Sequence, residues 1–349
     1  MSRFRVLFAV LLATLIGLVG FAVAGPSASA AVTSTTLYAV DGPHKTVVKL
    51  VGGATGTFTS TVIGRNLGSV SALAPDAGGN VYLLNDGHLV RISADGVQRS
   101  VAKSLTGLRE LVVDARGTVF VTDAHRVIRI YQPSGKQSVM GSISQAIQNL
   151  GVDGSGRPTV SYANADDELT LATFPTTAGR RPTTRAITTI FDDGFRTYGL
   201  VEAPNGVIFM VATSPGGSGA QWIERVNIGS STSKVVSTRL SNYAWTVDPR
   251  ARLHLMQIRK WCFTPAEGDG SCTKDWAVDE ILVFPDAGGT PRSVPTSNLS
   301  LPRGGIAVGA DQTTYAAADA GLVRIPATGG AAQPLVSGAY SLLTVKPGS

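Results

Sequence analysis

The sequence predicts an all-β fold assembled from repeated four-stranded sheets, and three observations support this prediction. Beyond residue 30, no segment keeps the hydrophobic period of an amphipathic helix over a helix's length. A unit of alternating strands around a turn, which in most copies contains an aspartate, recurs with a period of about 40 residues and stretches only by insertion. The two chain ends carry complementary fragments of this unit. Together these observations predict one seven-bladed β-propeller over residues 31–349, closed by strands from both ends.

The repeated unit is clearest at residues 108–135. It has a strand at 108–113, a turn containing Asp114 and Gly117, and further strands at 118–122 and 126–131. The internal copies have first strands that begin at Val70, Leu108, Ile147, Thr197, Tyr243 and Arg303. The third strands alternate apolar and polar residues, which is typical of a half-buried strand. The fourth strands are rich in Ser and Thr, which suits an outer edge that faces water.

The chain ends supply the remaining copy. Residues 341–349 have the pattern of a first strand and its turn, whereas residues 36–51 and 57–63 have that of the other three strands. Neither fragment can bury its apolar face alone, so we expect them to join and close the ring. A β-sandwich with the same number of strands is the alternative, but it would not require matching half-repeats at the termini.

The first 30 residues have the pattern of a secretory signal peptide. Arg3 and Arg5 precede an apolar run at 6–24, and Ala28 and Ala30 fit the rule of small residues at a cleavage site. We therefore expect cleavage after Ala30 and a secreted, extracellular protein. An uncleaved membrane anchor is the alternative, because the run is nearly long enough to span a bilayer.

Charge and composition narrow the choice of partners. Loss of the leader lowers the formal net charge from +6 to +4, and no long run of Lys or Arg is present. This argues against a nucleic-acid partner. We expect a monomer without stable membrane insertion once the leader is removed.

An insertion at 259–277 contains both cysteines of the chain, Cys262 and Cys272. In an oxidising compartment they are expected to form a disulfide, which stabilises by about 2.5–3 kcal/mol in the chain-entropy model. A reactive thiol or a metal-binding pair is the alternative. Trp261 and Trp276 flank the bridge and are candidate ligand contacts, with the insertion acting as a lid or as a purely structural plug.

The turn motif carries a resemblance to known families. Val113, Asp114, Gly117, Val119 and Phe120 form a "VD-x-x-G-x-V-Y/F-V" core that recurs from Pro75. Over most of the chain after the leader, this repeated sequence pattern resembles the NHL-repeat propellers and the streptogramin (virginiamycin B) lyase and gluconolactonase-like families. The motif belongs to the blade, so the resemblance implies the fold and not the chemistry.

The resemblance also suggests where a metal would bind. Streptogramin lyases use histidine, acidic residues and a divalent metal, and gluconolactonase-like enzymes use a carboxylate-and-amide metal site in the channel. In this sequence the nearest substitutes are Glu110, Asn149 and the pair Asp192–Asp193. His44, His88 and His125 occupy the turns between second and third strands of three successive blades. This arrangement could bring their imidazoles near one another, although histidines in turns are usually solvated. The repeat aspartates are interpreted as turn residues in preference to calcium ligands.

The candidate binding site is the end of the propeller where the first strands begin. Equivalent positions there are Ser71, Arg109, Gln148, Tyr198, Tyr243, Gly304 and Tyr340. We predict that Arg109, Gln148, Tyr198, Tyr243 and Tyr340 bind ligand, because tyrosine offers a flat apolar body with a polar tip. Packing between blades is the alternative role for the tyrosines.

These features predict a rigid binding platform for a small molecule, a glycan or another exported protein, without a cofactor. A metal-assisted lyase or lactonase with its site at the channel mouth is the alternative, and it would need a divalent cation. A structural scaffold without a ligand is the third possibility.

Overall fold

The computed structural model describes residues 34–347 except 53–55, 132–133, 167, 188–195, 204, 214–220, 228–232, 238–241, 258–277, 279, 286–289, 298 and 300–304. Every regular element in this part of the chain is a β-strand. Within it, no helix has the length and apolar character needed to cross a membrane. The all-β prediction is therefore confirmed.

The described strands form seven sheets. Sheet 1 contains β1 (Thr35–Asp41), β2 (Thr46–Gly52) and β3 (Phe58–Gly64). Sheet 2 contains β4 (Val70–Pro75), β5 (Val81–Asn85), β6 (His88–Ile92) and β7 (Gln98–Ser100). Sheet 3 contains β8 (Glu110–Val113), β9 (Val119–Thr122), β10 (Arg126–Tyr131) and β11 (Lys136–Ser142). Sheet 4 contains β12 (Asn149–Val152), β13 (Pro158–Ala163), β14 (Leu169–Thr173) and β15 (Thr183–Ala186).

The later sheets follow the same plan. Sheet 5 contains β16 (Arg196–Glu202), β17 (Ile208–Thr213), β18 (Gln221–Val226) and β19 (Ser233–Ser237). Sheet 6 contains β20 (Asn242–Val247), β21 (Leu253–Gln257), β22 (Glu280–Phe284) and β23 (Arg292–Ser297). Sheet 7 contains β24 (Ile306–Val308), β25 (Thr314–Ala318), β26 (Gly321–Ile325) and β28 (Gln333–Ser337). The short β27 (Gly330–Ala331) pairs in parallel with β23 and so links sheets 6 and 7.

The last strand, β29 (Tyr340–Val345), belongs to sheet 1. It pairs antiparallel with β1, so that Leu37 lies opposite Val345 and Ala39 lies opposite Leu343. Sheet 1 is therefore built from both ends of the described chain, and its strand order is β29-β1-β2-β3.

The first strands of the sheets are neighbours across the sheet boundaries. Contacts run in the order β4, β8, β12, β16, β20, β24 and β29, and β29 also contacts β4. Each of these strands lies at one edge of its own sheet. We call them the inner strands, because the sheets approach one another along them.

The apolar core lies between adjacent sheets. Leu111 packs in a cluster with Tyr82 and Leu84 of sheet 2, whereas Val112 packs in a cluster with Leu150 of sheet 4. Successive residues of a strand point to opposite faces, so one strand serves both clusters. Burying each such large side chain contributes about 1.5–3 kcal/mol, which makes sheet-to-sheet packing the main source of stability.

Aspartates hold the turns that follow the inner strands. The Asp114 carboxylate accepts the backbone N–H groups of Arg116 and Thr118 at 2.9 and 2.7 Å. Asp153 and Asp248 accept the corresponding two N–H groups in their own turns. In each turn one carboxylate oxygen accepts both backbone N–H groups, so these aspartates act as turn residues.

Candidate binding site

The inner strands begin at the same end of the sheets as the turns between second and third strands. The Leu108 N–H donates to the Gly87 carbonyl at 3.1 Å, and the Ile147 N–H donates to the Ala124 carbonyl at 2.8 Å. Each bond joins the start of an inner strand to a turn of the preceding sheet. In the described sheets, the starts of the inner strands and the turns between second and third strands therefore lie at the same end, as predicted.

A β-bulge recurs where the inner strands begin. In β4 the pairing with β5 shifts between Val70 and Ala72, which leaves Ser71 as an extra residue. In sheet 3, the Arg109 N–H donates to the Thr122 carbonyl while Glu110 also pairs with Thr122. Gln148 has the same relation to Ser161. A bulge re-aims a side chain away from the regular pleat, and bulges are enriched at functional sites.

The bulged residues form one register around the inner strands. The pairing shifts of β16 and β20 place the backbones of Tyr198 and Tyr243 at the bulge. Ser71, Arg109 and Gln148 are all exposed. The side chains of the two tyrosines lie outside the described part, so their predicted contacts with a ligand stay predictions.

Tyr340 differs from the expected register by one residue. It pairs with Asp41, and the bulge between Val40 and Asp41 makes Ser341 the equivalent of Arg109. Tyr340 is 6% exposed, packs with Leu37, and donates its hydroxyl to the Ser337 carbonyl at 3.4 Å. Burial, with a smaller effect of the Asp41 carboxylate, raises the pKa of this hydroxyl. Tyr340 is thus a core residue, and Ser341 is exposed in its place.

Glu110 lies one residue inward from Arg109. It shares the face of Val112, which packs toward sheet 4, because alternate residues of a strand point the same way. Its side chain is half-buried, and no hydrogen bond or ion pair of the described residues involves it. Burial raises the pKa of this carboxyl to about 7. Near neutral pH it can therefore hold or release a proton.

Asn149 is the equivalent of Glu110 on the neighbouring inner strand. Its Nδ2 donates to the Ser161 hydroxyl at 3.0 Å, which fixes the amide. The sequence suggested Glu110 and Asn149 as substitutes for a metal cage. Among the residues that the structure describes, no group of three His, Cys, Asp or Glu side chains could hold a metal ion. The third suggested element, Asp192–Asp193, lies outside those residues.

The three turn histidines, His44, His88 and His125, have different surroundings. The Nδ1 atom of His44 lies 2.8 Å from the Asp41 carboxylate, and that of His125 lies 3.1 Å from the Gln145 carbonyl. His88 is exposed at the start of β6. Trp261, Trp276, Cys262, Cys272 and the insertion at 259–277 lie outside the described residues, so the disulfide and the lid stay predictions.

Several solved structures are similar to the structure of this chain. The structure is similar to a protein from Lactobacillus plantarum, with a TM-score of 0.60 and 12% identity over 90% of this chain and 99% of that one. It is similar to AztD from Citrobacter koseri, with a TM-score of 0.58 and 14% identity over 91% and 99% of the two chains. It is also similar to a catalytically inactive virginiamycin B lyase from Staphylococcus aureus with quinupristin. That match has a TM-score of 0.54 and 13% identity over 83% and 94%.

The chain has a β-propeller fold. The resemblance of its repeat motif to the streptogramin lyase propellers is confirmed at the level of the fold. No protein-family model matches the sequence, and no curated protein matches it either. At these identities the shared propeller says nothing about substrate, so function has to be argued from the side chains.

Proposed function

We propose that this protein is a secreted, seven-bladed propeller, closed by β29, that acts as a rigid binding platform. Two features support the closed ring of seven blades. The inner strands contact one another in chain order and β29 contacts both β24 and β4. In addition, β29 and β1 share one sheet. A ring built this way holds all the bulged residues in fixed positions at one end.

The observation that carries the proposal is the exposure of the bulged residues in one register. Arg109 presents a planar guanidinium, which binds carboxylates through two parallel hydrogen bonds. Gln148 adds an amide at the equivalent position of the neighbouring inner strand, and Tyr198 and Tyr243 would add flat aromatic rings. This combination suits a small molecule or glycan that carries an acidic group and an apolar face.

The proposal is tested by a thermal-shift screen with acidic and neutral oligosaccharides. An acidic oligosaccharide, such as one built from uronic acids, should raise the melting temperature of the wild-type protein. Arg109→Ala should abolish the shift, whereas Arg116→Ala, an exposed arginine of the opposite turn, should leave it unchanged. The double variant Tyr198→Ala/Tyr243→Ala should also abolish binding while circular dichroism stays unchanged. If both arginine variants behave alike, this end is not the binding site.

A second function, a metal-assisted lyase or lactonase, is favoured by the environment of Glu110. The Glu110 carboxyl is half-buried and has no hydrogen-bond partner among the described residues, so its oxygens are available to a hard cation. The neighbouring inner strand carries Asn149, whose amide is held by Ser161. If this function holds, Ca²⁺, Mg²⁺ or Mn²⁺ should raise the melting temperature, and Glu110→Gln should abolish the effect. Glu168→Gln, at an exposed turn residue of sheet 4, is the matched control. Equal responses of the two variants to metal would exclude this function.

A further inference from the structure

The outer edges of the sheets are protected against strand addition in every described sheet but one. Edge strands commonly carry charged residues or proline, which prevent another chain from pairing with them. The edge strands of sheets 2–5 and 7 carry such residues, namely Arg99, Lys136, Arg185, Lys234 and Pro334. In sheet 6, β23 carries Pro295, and its last two residues already pair with β27. The edge of sheet 1 is β3, with the sequence FTSTVIG, and it contains neither a charge nor a proline.

β3 is also long and open to solvent. It spans seven residues, of which Thr59, Ser60, Thr61 and Val62 are exposed. Among the described strands, β2 is its only hydrogen-bonded partner. Its outer row of backbone N–H and C=O groups is thus available to a further strand.

A cleft of about 560 Å³ runs beside β3. One wall is the face of sheet 1, where Lys49 lies opposite Thr61 and Val51 lies opposite Thr59 in the strand pairing. The other wall is the turn at 94–96 of sheet 2, and Arg65 lies at the end of β3. A strand added to β3 would place every second side chain in this cleft.

The charge of the cleft indicates what kind of chain would fit. No acidic side chain of the described residues forms an ion pair with Lys49 or Arg65. The one carboxylate that lines the cleft, Asp95, already accepts a hydrogen bond from the Ser93 hydroxyl. A second copy of this protein would bring two sets of like charges together, whereas an acidic chain would neutralise them.

We propose that β3 is a docking strand for an extended polypeptide with acidic side chains at alternate positions. The backbone of the partner would continue sheet 1 beyond β3, and its carboxylates would lie near Lys49 and Arg65. Main-chain hydrogen bonds give such complexes their affinity, and the alternate side chains give them specificity. This surface is separate from the bulged residues and does not depend on their function.

The test uses a capped seven-residue peptide in which Glu alternates with Val and Thr, and the same peptide with Lys in place of Glu. In fluorescence anisotropy at low salt, the Glu peptide should bind wild-type protein at least about tenfold more tightly than the Lys peptide. Lys49→Glu/Arg65→Glu should reverse this preference. Lys136→Glu, which changes the same charge on the edge strand β11, should not.

Backbone methylation separates strand addition from simple charge attraction. N-methyl groups on one alternate set of peptide nitrogens should abolish binding, and N-methyl groups on the other set should be tolerated, because only one set faces β3. Equal binding of both methylated peptides would overturn the proposal. So would failure of the Glu peptide to bind at millimolar concentration. A dimer in sedimentation that Lys49→Glu/Arg65→Glu disrupts would also overturn it, because a second copy would then be the occupant of this surface.

Discussion

Asp248 and Glu110 are carboxylates at opposite ends of inner strands, and their surroundings differ sharply. Asp248 follows β20 in a turn, where it is fully enclosed and accepts hydrogen bonds from Arg252 and His254 in addition to backbone N–H groups. Burial opposes ionisation of Asp248, but the hydrogen bond from His254 and the other donors lower its pKa to about 2. Glu110, at the start of β8, has no such donor, and burial raises its pKa to about 7.

The difference between these two residues indicates that carboxylates have different roles at the two ends of the inner strands. At the end where the inner strands finish, the carboxylates of Asp114, Asp153 and Asp248 each accept two backbone N–H groups, which stabilises their turns. At the end with the bulges, Glu110 is half-buried and has, among the described residues, no hydrogen-bond donor that would stabilise its charged form. A group that costs stability in the free protein is typical of a site that a ligand completes.

The largest expected effect comes from removing Asp248. Asp248→Ala leaves His254, which is 1% exposed, and Arg252 without their carboxylate. Breaking a buried pair in this way costs about 3–5 kcal/mol. Urea unfolding should show this loss. Asp311→Ala, which removes an exposed turn carboxylate bonded to Thr313, should cost less than about 1 kcal/mol. Similar losses for both variants would contradict the role of the buried pair.

The acid dependence of stability should separate the two ends. Because the pKa of Asp248 is depressed to about 2, its contribution is present above the unfolded value of about 4 and is lost as pH falls toward 2. The difference in unfolding free energy between wild-type protein and Asp248→Asn should therefore shrink by about 2 kcal/mol between pH 5 and pH 2. A difference that does not change with pH would mean that the carboxylate is not ionised in the folded protein.

Glu110→Gln should change the free energy of unfolding in the opposite direction, by stabilising the protein at high pH. Because its folded pKa is raised to about 7, ionisation of Glu110 destabilises the fold increasingly as pH rises from about 4 to 7. The variant should be more stable than wild type by about 1–2 kcal/mol at pH 8, after allowance for partial exposure, and equal to it at pH 4. Thermal unfolding at both values measures this. A loss of stability at pH 8 would show that Glu110 has a stabilising partner.

The smallest expected effect concerns the turn backbone. Gly117 has φ of +78°, and the same position in the Asp248 turn is occupied by Ala251 at +62°. Gly117→Ala should cost about 1 kcal/mol, because a side chain disfavours this conformation even where space is available. Gly42→Ala, where an added methyl group meets nothing within 4 Å, is the control and should not destabilise. A neutral Gly117→Ala would show that the turn, like that of Ala251, absorbs the strain.

Much of the fold follows from the sequence because the repeat is local. Strand positions, the shared sheet of the two chain ends and the grouping of turns with inner-strand starts were all predictable from alternation and spacing. The place of Tyr340 was not, because the bulge between Val40 and Asp41 leaves no mark in the sequence and shifts the register by one residue. The sequence indicates Glu110 only as a possible metal ligand, because whether a carboxyl has hydrogen-bond partners depends on how the folded strands pack.

The pairing of β29 with β1 has a consequence for how the protein is made. Synthesis proceeds from the amino end, so β1 to β3 exist long before residues 340–345 do. Until then, the inner edge of sheet 1 has no neighbour, and the final pairing must bridge almost the whole length of the polypeptide. The unfinished chain therefore has an unpaired strand edge, and we expect completion of sheet 1 to be a late step of folding.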